Sequence, residues 1–214
     1  MQRKIYCLSG LGADQRIFQN LTIRATTLVH LPWQSFDEGE TMESYALKMA
    51  ALIKEEKPVI LGLSFGGMLA VEIAKQRDVS QTILISSIKG VQEFPDMNSF
   101  IILLLKTGLI PYNLFKRPNK YLFRNFGAVT DEEKALLTAI LKDTDANYLK
   151  HAFRMILNWK NTTIPQRLIH IHGTHDRILQ SEYVHPDQWM QDGTHMMVWN
   201  KAAIIAKWIE DNLA

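Results

Sequence analysis

The sequence predicts an α/β fold: a mostly parallel sheet of about six strands flanked by helices, with a helical segment inserted after the fourth strand. Three observations predict it. Short apolar runs alternate with longer segments at helical spacing, the pattern of βαβ units. The runs are apolar throughout rather than at every second residue, as in strands buried on both faces. A glycine-rich strand-to-helix junction, Gly62-Leu63-Ser64-Phe65-Gly66-Gly67, directly follows the run Val59-Ile60-Leu61.

Taken in order, Lys4 to Ser9 reads as a buried strand running into Ser9-Gly10-Leu11-Gly12. Thr26 to Leu31 reads as a second strand, closed by Pro32-Trp33. Thr41 to Glu55 reads as a helix, with Thr41 as its cap and Tyr45, Met49 and Leu52 at helical spacing, until Pro58 breaks it. Val59 to Leu63 is the third strand, Gly66 to Gln76 a helix, and Thr82 to Ser86 a fourth, short strand. The pattern then changes. From Ile88 to Lys160 there is no clear strand signal, only helical stretches broken by Pro95, Pro111 and Pro118. Within it, Asp131 to Lys142 has Thr130 as N-cap and acids in its first turn, and Asn147 to Trp159 forms a further helix. Alternation resumes with strands at Arg167 to His172 and Gln188 to Met190, and a closing helix from Lys201 to Asn212. The chain thus reads as one domain over residues 1–214, with residues 88–160 as an inserted helical cap.

Composition sets broad limits. The 214 residues, 47% hydrophobic and 21% charged, suit one sizeable core. A net charge of +2 with no basic block gives no nucleic-acid surface, and Lys116-Arg117 is a solvated doublet. The single cysteine, Cys7, cannot form an intrachain disulfide and reads as a small apolar filler within a strand. The basic N-terminus is followed by too short an apolar run for a signal peptide. The longest apolar stretch, Phe100 to Leu105, is far short of the ~20 residues that span a bilayer. A cytoplasmic protein without a membrane span is expected, and the sequence carries no signal for an oligomeric state.

Gly62-Leu63-Ser64-Phe65-Gly66 fits G-x-S-x-G. A serine hydroxyl is a weak nucleophile until it is exposed and a base takes its proton. A tight strand-to-helix turn exposes it at the end of a sheet. A base and an orienting acid should then lie in loops at the C-terminal ends of later strands. Asp176, after the fifth strand, and His195, after the sixth, meet that requirement in the order Ser, Asp, His.

With these motifs the chain resembles the α/β-hydrolase superfamily across essentially its whole length: Ser9-Gly10-Leu11-Gly12, Gly62-Leu63-Ser64-Phe65-Gly66, His172-Gly173-Thr174-His175-Asp176 and Gly193-Thr194-His195. The resemblance implies Ser64 as nucleophile, His195 as general base and acid, and Asp176 as the group that orients His195. It also implies an oxyanion hole from the backbone N–H groups of Phe65 and Leu11, each contributing around 3 kcal/mol to the transition state. Many members have His-Gly where this chain has Ser9-Gly10; the backbone donor survives, but a histidine hydrogen bond is lost. The chain begins almost at the strand leading to that turn, so the resemblance implies a trimmed version of the fold. The implied activity is cleavage of a small or medium carboxylic ester or thioester with an apolar part, without metal or organic cofactor. A C–C bond hydrolase, a lactonase or an amidase uses the same scaffold, and a non-catalytic small-molecule-binding protein is a second class of reading. Halide and epoxide chemistry on this scaffold uses aspartate where this chain has Ser64.

Other readings of the same residues stay open at the level of sequence. Ser64 fits a plain turn and His195 a solvated loop. Asp176 fits the cap of a helix beginning near Ile178, with Asp143 and Asp145 as alternative acids in the inserted segment. His170-Ile171-His172-Gly173-Thr174-His175-Asp176 approaches the H-x-H-x-D-H metal pattern, with Thr174 in place of the aspartate. Gly10-Leu11-Gly12 only weakly matches a dinucleotide fingerprint, since Gln15 occupies the third glycine position. The apolar stripe from Phe100 to Phe115 reads as packing, or as lining for an acyl or alkyl pocket. Trp33 reads as a residue at the pocket mouth or as an ordinary core aromatic.

Overall fold

The structure, a computed structural model, describes residues 2–94 and 116–214. The Phe100–Phe115 stripe and the breaks at Pro95 and Pro111 lie outside the described residues. Six strands form one sheet among the described residues: β1 (Arg3–Leu8), β2 (Thr26–His30), β3 (Val59–Leu63), β4 (Gln81–Ile85), β5 (Leu168–Gly173) and β6 (Gln188–Met190). Their order is β2-β1-β3-β4-β5-β6, and every adjacent pair is parallel. The helices are α1 (Met42–Ala50), α2 (Phe65–Gln76), α3 (Lys120–Phe126), α4 (Asp131–Asp143), α5 (Ala146–Asn158), α6 (Met197–Asn200) and α7 (Ala202–Asn212). A short 3₁₀ turn at Gln15–Phe18, capped by Asp14, had no distinct signal in the sequence.

The strands are apolar throughout because both faces are covered. On β1, Ile5 and Cys7 join a core with Leu61, Ile83 and Ile171, closed by Ile205 and Ile209 of α7 and by Leu137, Ile140 and Leu141 of α4. Tyr6 and Leu8 point the other way, to a core with Tyr45 and Met49 of α1, Leu69 and Ile73 of α2, and Ala152 and Met155 of α5. The pleat alternates side chains between these two cores. Helices α4 and α5 thus contribute to opposite cores.

Local sequence explains most boundaries. Thr41 and Ser44 form a reciprocal capping box on α1, and Thr130 and Glu133 form another on α4. Asn119 and Asp145 cap α3 and α5. Helix α1 stops at Ala50, short of the expected Glu55. The Arg77 guanidinium reaches back to the carbonyls of Ala50 at 3.2 Å and Glu56 at 3.2 Å, so the chain turns there and buries Ile53. The closing helix α7 lies where expected, and Lys201, with φ −120° and ψ 24°, separates it from the short α6.

Candidate active site

Ser64 sits between the last residue of β3 and the first of α2, at φ 52° and ψ −119°. A non-glycine residue rarely adopts a positive φ, and holding it there costs on the order of 1–3 kcal/mol. The surroundings enforce it. A Cβ on Gly62 would lie under 3.0 Å from Gly66 O, and one on Gly66 under 3.0 Å from Leu8 O and Ser9 O. Only hydrogen fits at either flank, which gives the G-x-S-x-G spacing a steric origin. The Ser64 carbonyl is held by the Gly67 amide at 2.9 Å and by the Ser87 hydroxyl at 2.7 Å.

Asp176 and His195 come to the same end of the sheet, in the loops after β5 and β6. His195 Nδ1 donates to Asp176 Oδ2 at 2.7 Å, and His195 Nε2 accepts from Ser64 Oγ at 3.0 Å. The carboxylate and imidazole are buried, at 4% and 6% exposure, so water competes little for either bond. Asp176 also caps the turn it precedes: Oδ1 accepts from the amides of Ile178 at 2.9 Å and Leu179 at 3.0 Å. One oxygen thus caps the turn while the other meets His195. Burial opposes its charge, but His195, His172 and the Leu179 amide prevail and hold the carboxyl below its usual range. Edge-on, Phe126 lies 5.5 Å from the His195 ring, and its carbonyl accepts from Met196 N at 3.2 Å.

The Ser9–Ala13 turn lies against the serine: a Cβ on Gly10 would be 3.5 Å from Ser64 Cβ. Three bonds brace the turn, from Ser9 Oγ to Ala13 O at 2.7 Å, from Trp33 Nε1 to the same oxygen at 2.8 Å, and from Thr144 Oγ1 to Gly12 O at 2.6 Å. Gly10 of this turn thus lies beside Ser64, with Leu11 next in the chain. Trp33 lies 5.6 Å from the Phe65 ring, 5.5 Å from Tyr148 of α5 and 6.4 Å from Tyr45 of α1. It joins the loop after β2 to α5 through packed aromatic rings.

The alternative acids are elsewhere. Asp143 pairs with Arg16 at 2.8 Å, and Asp145 caps α5. The histidine run does not converge either. His170 and His172 are fully buried, whereas His175 is exposed and faces Asp192 at 3.4 Å. Among the described residues no group of three or more His, Cys, Asp or Glu is arranged to hold a metal ion. No helix among them is long and apolar enough to cross a membrane.

No family model matches the chain, and no curated protein sequence does. Solved structures do. A lipase-esterase related protein from Clostridium acetobutylicum superposes with a TM-score of 0.74 at 15% identity, over 99% of this chain and 95% of that one. The chain has the α/β-hydrolase fold. An esterase from Exiguobacterium antarcticum matches with a TM-score of 0.73 at 13% identity, over 98% of this chain and 91% of the other. The enol-lactonase from Burkholderia xenovorans LB400 matches at 0.70 and 17% identity, over 100% and 92%. An α/β-hydrolase sheet brings the ends of β1, β3, β5 and β6 together at its C-terminal edge, where the Ser9–Ala13 turn, Ser64, Asp176 and His195 lie.

Sequence reading missed the supporting residues. Ser87, Thr144, Phe126 and His172 all touch the site or its braces. Only His172 carried a signal, as part of the His-Gly-Thr-His-Asp run, and there it stood in a partial metal pattern rather than as a partner of the acid.

Proposed function

We propose that the chain is a serine hydrolase that cleaves a small or medium carboxylic ester or thioester through an acyl-enzyme. One observation carries this reading: the continuous hydrogen-bonded row Asp176–His195–Ser64, at 2.7 and 3.0 Å, on a serine held in a strained turn. Ser64 Oγ attacks the carbonyl carbon as His195 Nε2 takes its proton. Asp176 holds the imidazole in the Nδ1–H tautomer and stabilises the imidazolium that forms. The amides of Leu11 and Phe65 receive the oxyanion. His195 returns the proton to the leaving alcohol or thiol. Water, deprotonated by His195, then attacks the acyl carbon and frees Ser64 and the carboxylic acid.

Phe126, edge-on to His195 at 5.5 Å, supports a substrate with an apolar acyl part. The similar structures bear the names of esterases and of a lactonase, and both reactions transfer an acyl group from oxygen to water. Lactone opening is accordingly the nearest second reading, since it differs only in keeping the leaving group attached. In this proposal the 88–160 segment, of which residues 95–115 lie outside those described, is the cap, the protein works in the cytoplasm, and neither metal nor organic cofactor takes part.

A panel of p-nitrophenyl esters, matched thioesters and γ-lactones tests the proposal. Hydrolysis that falls by about 10³-fold or more in Ser64→Ala is expected. Unchanged hydrolysis in that variant would overturn it.

A further inference from the structure

We infer that His172 is a positioning residue for the Asp176–His195 pair: its Nε2–H braces the acid loop through Leu179 and lies 3.5 Å from the Asp176 oxygen that meets His195. The inference rests on the serine-hydrolase reading above.

His172 lies on β5, four residues before Asp176, and is fully buried. Its Nε2 is 2.8 Å from Leu179 O. A carbonyl can only accept, so the proton sits on Nε2 and the ring is in one tautomer. The same nitrogen lies 3.5 Å from Asp176 Oδ2, the oxygen that takes the His195 bond. Leu179 is thus held twice, its amide by Asp176 Oδ1 at 3.0 Å and its carbonyl by His172. These contacts close the loop from Gly173 to Leu179 onto the strand below it and fix the carboxylate plane.

Among the described residues His172 Nδ1 is buried without a hydrogen-bond partner. Leaving a buried polar atom unpaired is costly, so a bulky apolar side chain would satisfy the packing better. What such a side chain lacks is the Nε2–H. The titratable and charged groups around His172 are Asp176 in its own loop, His170 on β5, His195 after β6 and Glu93 in the 3₁₀ turn Val91–Glu93, with Lys89 bearing on His170. Trp189 of β6 lies edge-on at 6.0 Å and is neutral. Burial, partly opposed by Asp176, holds His172 below its ordinary range, so it acts as a neutral donor.

A donor next to Asp176 Oδ2 withdraws part of the negative charge that His195 would otherwise meet. Removing it makes the carboxylate a stronger partner for the imidazolium that forms in turnover, so the acid limb of the pH profile should move up. Methionine at position 172 fills the space without a donor. Glutamine places an amide N–H where Nε2 stood, whereas the shorter asparagine does not reach Leu179.

The experiment follows His195 by NMR titration and ester turnover against pH in the unmodified chain, His172→Met, His172→Gln and His172→Asn, with melting temperatures alongside. In H172M the acid limb of kcat/KM should move to higher pH, with KM little changed. H172Q should titrate as the unmodified chain does, and H172N as H172M does. The comparison of H172Q with H172N decides the matter if H172M does not fold. Equal midpoints in all folded variants, or the same shift in H172Q as in H172N, would overturn the role of His172. A chain that titrates as expected but shows no Ser64-dependent turnover would instead overturn the serine-hydrolase reading, leaving the His172–Asp176–His195 coupling standing.

Discussion

At the scale of single residues, the row from Asp176 to Ser64 turns on hydrogen-bond directions. Asp176 spends one oxygen on two backbone amides and the other on His195. Asn at position 176 keeps the shape but cannot accept at both oxygens, so it either loses the backbone cap or presents an N–H to His195 Nδ1. The second outcome favours the wrong imidazole tautomer. Asp176→Asn should lower kcat by about 10³-fold or more with little change in KM, measured on whichever ester the unmodified chain hydrolyses. These three residues were legible in the sequence because each lies in a loop right after a strand, where parallel sheets place their chemistry. Ser87 and Thr144 were not. They act through backbone carbonyls brought near by folding, of Ser64 and Gly12, and no spacing in the sequence records such a meeting. Trp33 was half legible: its place after β2 put it near the site, but its bond to Ala13 O and its packing on Phe65 and Tyr148 come from the tertiary fold.

At the scale of elements, the nucleophile turn depends on two glycines with no room for a methyl group. Gly66→Ala would drive Cβ into the carbonyls of Leu8 and Ser9, both backbone atoms of β1 and its turn. A loss of about 1–3 kcal/mol or more is expected by chemical denaturation, with activity lost beyond what stability explains, since the Ser9–Ala13 turn must shift. The junction between α5 and α2 offers a second test. Glu72 is fully buried, accepts from Trp159 Nε1 at 2.7 Å and pairs with Lys75 at 2.9 Å. Trp159→Phe keeps much of the packing and strips the carboxylate of one donor, so a loss of about 1–3 kcal/mol is expected from the same measurement. Helix positions were largely legible because caps are local: Thr41 and Thr130 stand where sequence reading put them. The early end of α1 was not, because it is set by Arg77, 27 residues downstream of Ala50. The sheet order was not spelled out either. Parallel strands were recognisable from their apolar runs, but which strands adjoin is decided by how the helices pack on both faces.

At the scale of the whole molecule, the buried ionisable groups tie stability to pH. Burial holds His170 well below its ordinary value and His172 below it, so the folded chain keeps both neutral. The unfolded chain binds protons there from about pH 6.5 downward. Stability from these groups is therefore complete above about pH 6.5 and declines as the pH falls toward their folded values. Asp176 acts lower on the scale. Its depressed carboxyl adds stability above about pH 3.9 that is lost as the pH drops through the folded value. Melting temperatures taken from about pH 8 to about pH 5 should fall, and His170→Phe should flatten that slope by removing one proton-binding site of the unfolded chain.

The most direct test of serine chemistry is labelling of the folded chain with a fluorophosphonate, followed by mass-spectrometric mapping of the adduct. A single adduct on Ser64, absent from Ser64→Ala and from His195→Ala, is the expected result. An adduct elsewhere, equal labelling of Ser64→Ala, or no labelling of a chain shown to be folded would contradict an activated serine at this site.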